Sequence, residues 1–336
     1  MIEHLAIERF KSILSLALPC RKVNVFIGAP DTGKTNILEA LYLLSRLGWG
    51  LPLDSALRLS GDVGLEALFY RQFLDRPLRI VLRLDRPLPG SSALEFALSA
   101  EVAGAGTLRA QLDPGGAGAT IAWSGGWHVG SLFDWIRCYV YAGASAWQYT
   151  SAGSHGTTVV SVPYGSNLLY IARHQQRVYD FLKELVAELG WKLRFDLNRR
   201  TFLLSEVRAD EIVDYNLDLL SDSLKRLFFY GAILLTSEDA TLVLDEPDVF
   251  AFPPYPKTLG EMIADDASNQ FFLTTHNPYF LAAIAEKTPA AHLALFVCFR
   301  REDGSTGARR LEESEVARVI ELGSSVFFNL DELVRA

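Results

Sequence analysis

Cysteine is scarce in this 336-residue chain: Cys20, Cys138 and Cys298 stand far apart and are odd in number. That excludes a disulfide framework and the paired spacing of a zinc site, and it fits reduced, buried thiols in a cytoplasmic protein. Long hydrophobic runs are also missing. The most apolar stretch, Leu227–Leu235, is too short to span a bilayer and is flanked by Lys225, Arg226 and Glu238. No secretory signal opens the chain, because Glu3, His4, Glu8 and Arg9 interrupt the first residues. A membrane role is therefore not expected. Positive charge is not in excess either. The formal net charge is −8, which argues against coating nucleic acid through bulk charge. A local basic groove stays open, and Arg199–Arg200, Arg300–Arg301 and Arg309–Arg310 are the clusters to follow. Solvated hairpin tips and edges are their simplest reading. Internal repeats and low-complexity tracts are absent.

What is present suits an ordinary globular protein with a sizeable core. Hydrophobic residues make up 49% and charged ones 21%, enough chain for one large α/β domain or two small ones. Strands are expected at Ile2–Ile7, Ile13–Leu18 and Val23–Ile27, the last running straight into Gly28. A helix follows from Lys34, with Ile37, Leu38, Leu41 and Leu44 on one face. Residues 78–141 alternate charged and apolar positions between turns at Pro87–Gly90, Gly104–Gly106 and Asp113–Gly118. They predict an antiparallel lobe whose last strand is Ile136–Tyr141. The Gly-, Ser- and Thr-rich segment 143–160 reads as a loop. One long helix is expected from Asn167 to Leu189, stopping at Gly190, then a hairpin of Trp191–Phe195 and Thr201–Leu204. A helix over Ser223–Leu235 leads into alternating strands (Leu242–Leu244, Phe271–Leu273, Leu293–Phe299) and helices (about Pro256–Ala264 and Tyr279–Glu286). Such alternation marks a mostly parallel sheet covered on both sides.

Three segments carry chemistry. Gly28-Ala29-Pro30-Asp31-Thr32-Gly33-Lys34-Thr35 satisfies G-x-x-x-x-G-K-[ST] between an apolar strand and an amphipathic helix. Its glycines let the backbone wrap a phosphate, and its N–H groups and the helix N-terminus point at the anion. Lys34 reaches the β- and γ-phosphates of ATP, and the Thr35 hydroxyl faces Mg²⁺. The buried-type strand Ala240–Leu244 ends in Asp245-Glu246-Pro247-Asp248. Charge just past the end of a parallel strand lies where open α/β sheets bind ligands. Asp245 is the expected Mg²⁺ residue and Glu246 the general base for an attacking water. Gln270–Leu273 repeats the pattern and ends in Thr274-Thr275-His276-Asn277-Pro278, so His276 is placed to sense a γ-phosphate. The other five histidines (His4, His128, His155, His174, His292) are read as structural or exposed.

On these residues the chain resembles the ABC-type ATPases of the RecF, SMC and OLD group, in the branch of stand-alone AAA-family ATP-binding proteins. Ile7-Glu8-Arg9-Phe10-Lys11-Ser12 is similar to the family's opening, and Phe26–Leu41, ending Asn36-Ile37-Leu38-Glu39-Ala40-Leu41, is similar to its nucleotide-binding segment. Leu220-Ser221-Asp222-Ser223-Leu224-Lys225-Arg226 looks like its degenerate signature and Thr274–Pro278 like its switch. The resemblance implies a P-loop NTPase fold: an ABC-ATPase-like, mostly parallel core sheet, an antiparallel β lobe and a helical and hairpin insertion. It implies head halves at 1–145 and 211–336 around an inserted lobe at 146–210. Catalysis would rest on Lys34, Glu246 and His276, with Asn36 beside the phosphate loop. It further implies Mg²⁺-dependent ATP hydrolysis by a homodimer that sandwiches two nucleotides, Ser221 of one head capping the γ-phosphate of the other. Capping of the following helix is the simpler role for Ser221. DNA repair or anti-phage defence is the implied setting, with DNA or an effector nuclease or toxin as partner. A regulatory ATP-binding module with little turnover is the alternative, and a transporter subunit is less favoured.

The chain departs from the family in places. Phe250-Ala251-Phe252-Pro253 stands where relatives carry His-x-His-Pro, and the signature lacks two glycines. No glutamine clearly completes the metal site, Gln148 and Gln72 being weak candidates. Neither a nuclease module nor a long coiled coil is present.

Overall fold

The computed structural model describes residues 1–50, 64–88, 91–104, 107–113, 117–122, 130–150, 158–208, 211–249 and 252–335. The expected turns at 87–90, 104–106 and 113–118, the loop 143–160 and the segment 250–253 fall partly outside these residues, and His128 and His155 wholly so.

The chain opens with an antiparallel hairpin of β1 (Ile2–Phe10) and β2 (Ile13–Pro19), then β3 (Val23–Gly28), buried at every position. Helix α1 (Lys34–Trp49) follows the glycine loop and is buried nearly all round, because it lies between two sheets. β4 (Leu78–Leu84), β5 (Glu95–Gly104), β6 (Thr107–Asp113) and β7 (Ala117–Ala122) come next, then the short β8 (Ile136–Tyr139). Helices α2 (Leu168–His174) and α3 (Gln176–Ala187) precede β9 (Lys192–Asp196), β10 (Thr201–Arg208) and β11 (Glu211–Asn216). The remainder alternates: α4 (Asp222–Thr236), β12 (Thr241–Asp245), α5 (Pro254–Asp265), β13 (Gln270–Thr274), α6 (Pro278–Lys287), β14 (Leu293–Arg300). An edge strand β15 (Thr306–Arg310) and helices α7 (Glu313–Leu322) and α8 (Leu330–Arg335) end it.

Three sheets result. The core sheet runs β15-β14-β3-β13-β12-β8, parallel except for β15. The lobe sheet runs β2-β1-β4-β5-β6-β7 and is antiparallel throughout, and the small sheet runs β11-β10-β9. The patterns follow the burial each sheet imposes. β12 and β13 are near-continuous apolar runs because both faces of a parallel sheet are covered. β4 alternates because only one of its faces is buried. One side of the core sheet (Phe26, Val243, Phe272, Phe296) packs with α1 against the lobe. The other side (Val25, Leu242, Leu273, Val297) packs under the later helices.

The lobe is fastened to the core sheet by buried polar groups. The Gln270 side chain accepts from the Ile2 N–H (2.8 Å) and the Thr241 hydroxyl (3.1 Å), and donates to the carbonyls of Ile2 (2.7 Å) and Arg21 (2.8 Å). Lys11 and the 2% exposed Glu39 form an ion pair of 2.6 Å between the β1–β2 turn and α1.

Four expectations need correction. The strand at Ile136–Tyr141 is no part of the antiparallel lobe: β8 pairs parallel with β12 at the edge of the core sheet. Its short apolar run fits either sheet, so the pattern could not decide. The helix over 167–189 is two helices, broken where Gln175 adopts extended geometry (φ −109°, ψ 114°) and its carbonyl starts the second by accepting from Tyr179 N–H. No glycine or proline marks that break. The hairpin gains a third strand, so its sheet continues to Asn216, past the expected lobe boundary at 210. The Arg309–Arg310 cluster is not simply solvated: Arg309 forms a double hydrogen bond with Glu315 on α7 (2.9 and 2.8 Å).

Gln270→Leu is expected to cost about 2–4 kcal/mol, because it strands buried main-chain groups of Ile2 and Arg21. The urea midpoint would fall with an unchanged slope. Thr241→Val, which removes one of these bonds, would cost under about 1.5 kcal/mol. Equal effects would refute the assignment of Gln270 as the fastener.

Candidate functional site

The glycine loop leaves the carboxyl end of β3 in the middle of the core sheet. Gly28 (φ 152°) lies so close to β14 that a Cβ there would collide with the Cys298 carbonyl. Gly33 (φ 90°) is the N-cap of α1, and a Cβ there would strike the Thr306 and Ser12 hydroxyls. Both positions therefore require glycine. Between them, Ala29, Pro30 and Asp31 (φ 59°) are exposed, and Thr32 donates to the Ala29 carbonyl (2.9 Å). No side chain caps α1, so its first-turn N–H groups face the loop, the arrangement that attracts anions. Lys34 is buried, and its ammonium donates to the carbonyls of Gly28 (3.0 Å) and Ala29 (2.8 Å). Burial lowers its pKa, against the influence of Cys298, Glu246, Asp245 and Asp31. Asn36 turns elsewhere: its amide donates to Ser12 Oγ (2.6 Å), which shares a hydrogen bond with Thr306 Oγ1 (2.6 Å).

The acidic end of β12 meets this loop. Thr35 Oγ1 lies 3.2 and 3.3 Å from the two oxygens of Asp245. In register beside Asp245 on β13, the Thr274 hydroxyl donates to Asp245 (2.5 Å) and accepts the Glu246 N–H (2.9 Å). Glu246 takes a left-handed conformation (φ 47°). That costs a non-glycine residue roughly 1 kcal/mol, and the Thr274 bond helps hold it. His276 Nε2 stands 3.6 Å from Glu246 Oε1, too far for a hydrogen bond. Burial first, then the Lys34 charge, lowers the His276 pKa, with Glu246 and Asp245 opposing. The ring is therefore neutral at neutral pH, able to donate from one nitrogen.

A third acid lies behind these. Asp248 is 4% exposed, and its Oδ2 accepts from the Thr275 hydroxyl (2.8 Å), which itself accepts the Asn277 N–H (2.9 Å). Asn277 in turn caps α6 through the N–H groups of Tyr279 (2.9 Å) and Phe280 (3.4 Å). Asp248 Oδ1 has no partner among the described residues, and burial pushes this carboxyl up to about 7. A cleft of about 320 Å³ is lined by Glu246, Asp248, His276, Asn277 and Tyr279, among others.

Not every expected residue joins the cluster. Ser221 is the N-cap of α4, accepting the Leu224 N–H (3.3 Å), and it is exposed. Gln148 is held by its main chain on Ser166, Gln72 sits in a tight turn (φ 58°), and both are exposed. Thr274, Thr275 and Asp248 are the site residues that sequence reasoning gave no role. Their signal was faint: polar side chains at strand ends whose neighbours had already claimed the chemistry. As a donor set, the Thr35 hydroxyl and Asp245 carboxylate are hard oxygens in contact, which suits Mg²⁺. No group of three or more potential metal-binding side chains occurs among the described residues. Such a pair holds Mg²⁺ together with phosphates rather than in a protein cage.

Residues 172–282 match the family described as "AAA domain, putative AbiEii toxin, Type IV TA system". The match includes Asp245, Glu246 and His276 but not the glycine loop. An SMC head bound to the C-terminal winged-helix domain of ScpA is similar over 94% of this chain and 99% of its own, at 17% identity and a TM-score of 0.59. An SMC head with an extended coiled coil, bound to the C-terminal domain of ScpA derived from Pyrococcus furiosus, is similar over 95% and 98%, at 15% identity and a TM-score of 0.59. No curated protein matches the sequence. The fold is that of these SMC heads, and no helix among the described residues is long and apolar enough to cross a membrane.

Asp248 gives a pH signature. Burial holds its folded pKa at about 7, well above the ordinary range of an aspartate carboxyl. The folded state thus holds a proton that the unfolded chain has released, and stability falls as pH rises from 4 to 7. Asp248→Asn removes this loss. Relative to the parent, the variant is expected to gain on the order of a few kcal/mol across that window. Parallel denaturation curves at each pH would contradict the assignment.

Proposed function

We propose that this protein binds ATP with Mg²⁺ on residues 28–35 and hydrolyses it, using the closure of two heads around the nucleotide to drive a conformational switch. The observation that carries the reading is the meeting of Thr35 with Asp245 at 3.2 Å, beside Glu246 and His276. Loop amides and the α1 N-terminus receive the phosphates, and Lys34 exchanges its carbonyl partners for β- and γ-phosphate oxygens. Thr35 and Asp245 would hold Mg²⁺, which would supply charge neutralisation for the triphosphate. Glu246 accepts a proton from the attacking water, and neutral His276 donates to a γ-phosphate oxygen.

In this reading the exposed Ser221 at the start of α4 serves a second head, where a helix N-terminus favours the opposing phosphate. The switch acts on DNA or on a partner effector such as a nuclease or toxin, in DNA repair or defence against phage. Support comes from the matched family's description, which names a toxin of a type IV system, and from SMC heads bound to partner domains. A cytoplasmic location goes with this reading.

Lys34→Ala is expected to abolish ATP binding or turnover while leaving the circular dichroism spectrum intact; full ATPase activity in that variant would defeat the site. Glu246→Gln separates turnover from mere binding. With ATP and Mg²⁺ it is expected to accumulate as a dimer in sedimentation. A monomer at saturating ATP counts against the sandwich, and unchanged behaviour would mean that ATP is held as a regulatory ligand.

A further inference from the structure

Thr274 ends β13 and Thr275 follows directly, and their hydroxyls serve different partners. Thr274 serves Asp245 and the Glu246 N–H. Thr275, 0% exposed, serves Asp248 and the Asn277 N–H. His276 lies between Thr275 and Asn277, so both flanking residues are fixed by one hydroxyl. Its own ring is held loosely: it is about one-third exposed, 3.6 Å from Glu246 and tilted against Phe327 at 5.9 Å between centroids. A buried carboxyl with one oxygen unpartnered is costly to keep. A hydrophobic residue of like size would fill the same place without that cost, but it could not accept from Thr275.

We infer that Asp248 is a positioning residue which, through the Thr275 hydroxyl, sets the turn carrying His276 and so places the imidazole opposite Glu246. The catalytic consequence rests on the reading of His276 given above; the geometric one does not. The path is short: Asp248 Oδ2, Thr275 Oγ1, Asn277 N–H, then the cap of α6. It ties the segment after β12, which carries the base, to the segment after β13, which carries the phosphate sensor. Displacement of one is thereby felt by the other.

The test compares Thr275→Val, Thr275→Ser, Asp248→Ala and the double variant Asp248→Ala/Thr275→Val in the full chain. The His276 ring resonance, assigned with His276→Gln, is followed by carbon-edited NMR without nucleotide. Steady-state ATP hydrolysis is followed alongside. Thr275→Val and Asp248→Ala are each expected to shift the ring resonance and to lower kcat about tenfold or more, with KM within about twofold. The double variant would be no worse than either single one, because both cut the same path. Thr275→Ser, which keeps the hydroxyl, would leave the resonance in place and restore turnover to within about threefold. An unmoved resonance in Thr275→Val, losses that multiply in the double variant, or a loss confined to KM would overturn the inference. If Asp248→Ala fails to fold, the Val and Ser variants of Thr275 decide alone. If His276→Gln hydrolyses ATP like the parent while Thr275→Val still moves the resonance, the role given to His276 falls and the positioning stands.

Discussion

The contact between Thr35 and Asp245 joins residues 210 positions apart, and the rest of the molecule is arranged to bring them together. It requires β3 and β12 to end on the same edge of the sheet with one strand between them, which the order β3-β13-β12 provides. Parallel strands in one sheet bring all their carboxyl ends to one edge. Asp245 and Thr274 lie level with Phe26, two residues before Gly28, and the loops that follow these strands meet. Nothing in the loop alone could place a carboxylate beside Thr35. That placement is a property of the topology, and hence of the apolar patterns that bury β3, β13 and all of β12 but its final Asp245.

Concentrating charge at a sheet edge has costs, and the structure shows where they fall. Glu246 bears left-handed backbone, Lys34 is buried with its pKa lowered, and Asp248 keeps an unpartnered oxygen. Each is offset locally: Thr274 holds the Glu246 N–H, two loop carbonyls hold Lys34, and Thr275 holds Asp248. A neutral His276 fits the same logic. A protonated ring beside Lys34 would add a like charge in a partly buried place, and the acids nearby do not outweigh this.

The legibility of the sequence divides along physical lines. The glycine loop and the acidic strand end could be read because their chemistry demands fixed residue types at fixed spacing. The parallel core was visible in alternating apolar runs and helical stripes. Strand β8 was assigned to the wrong sheet because a four-residue run bears no mark of its partner. The break at Gln175 was hidden because no proline or glycine announces the extended geometry there. Strand β11 was missed because its pattern is mostly exposed, leaving no buried stripe to read. Thr274 and Thr275 were visible as letters, but their roles depend on which acid each hydroxyl meets in the folded chain.

The lobe is more than a cover for α1. The β1–β2 turn brings Ser12 into a hydrogen-bonded row with Asn36 and Thr306, directly against Gly33. Lys11 beside it pairs with Glu39 one turn along α1. The start of α1 is thus gripped from two directions, by the lobe hairpin and by β15 at the edge of the core sheet. A rigid grip suits an anion site, because amides already aimed at a phosphate lose little entropy on binding it. It also fixes the direction in which force can travel. Any shift of α1 relative to β14 must move Thr306, Ser12 and the lobe hairpin together, since interlocked hydroxyls cannot slide without breaking. The lobe hairpin, the start of α1 and β15 are therefore coupled directly, by hydroxyl and amide hydrogen bonds on one side and by the apolar packing of α1 beneath the lobe on the other.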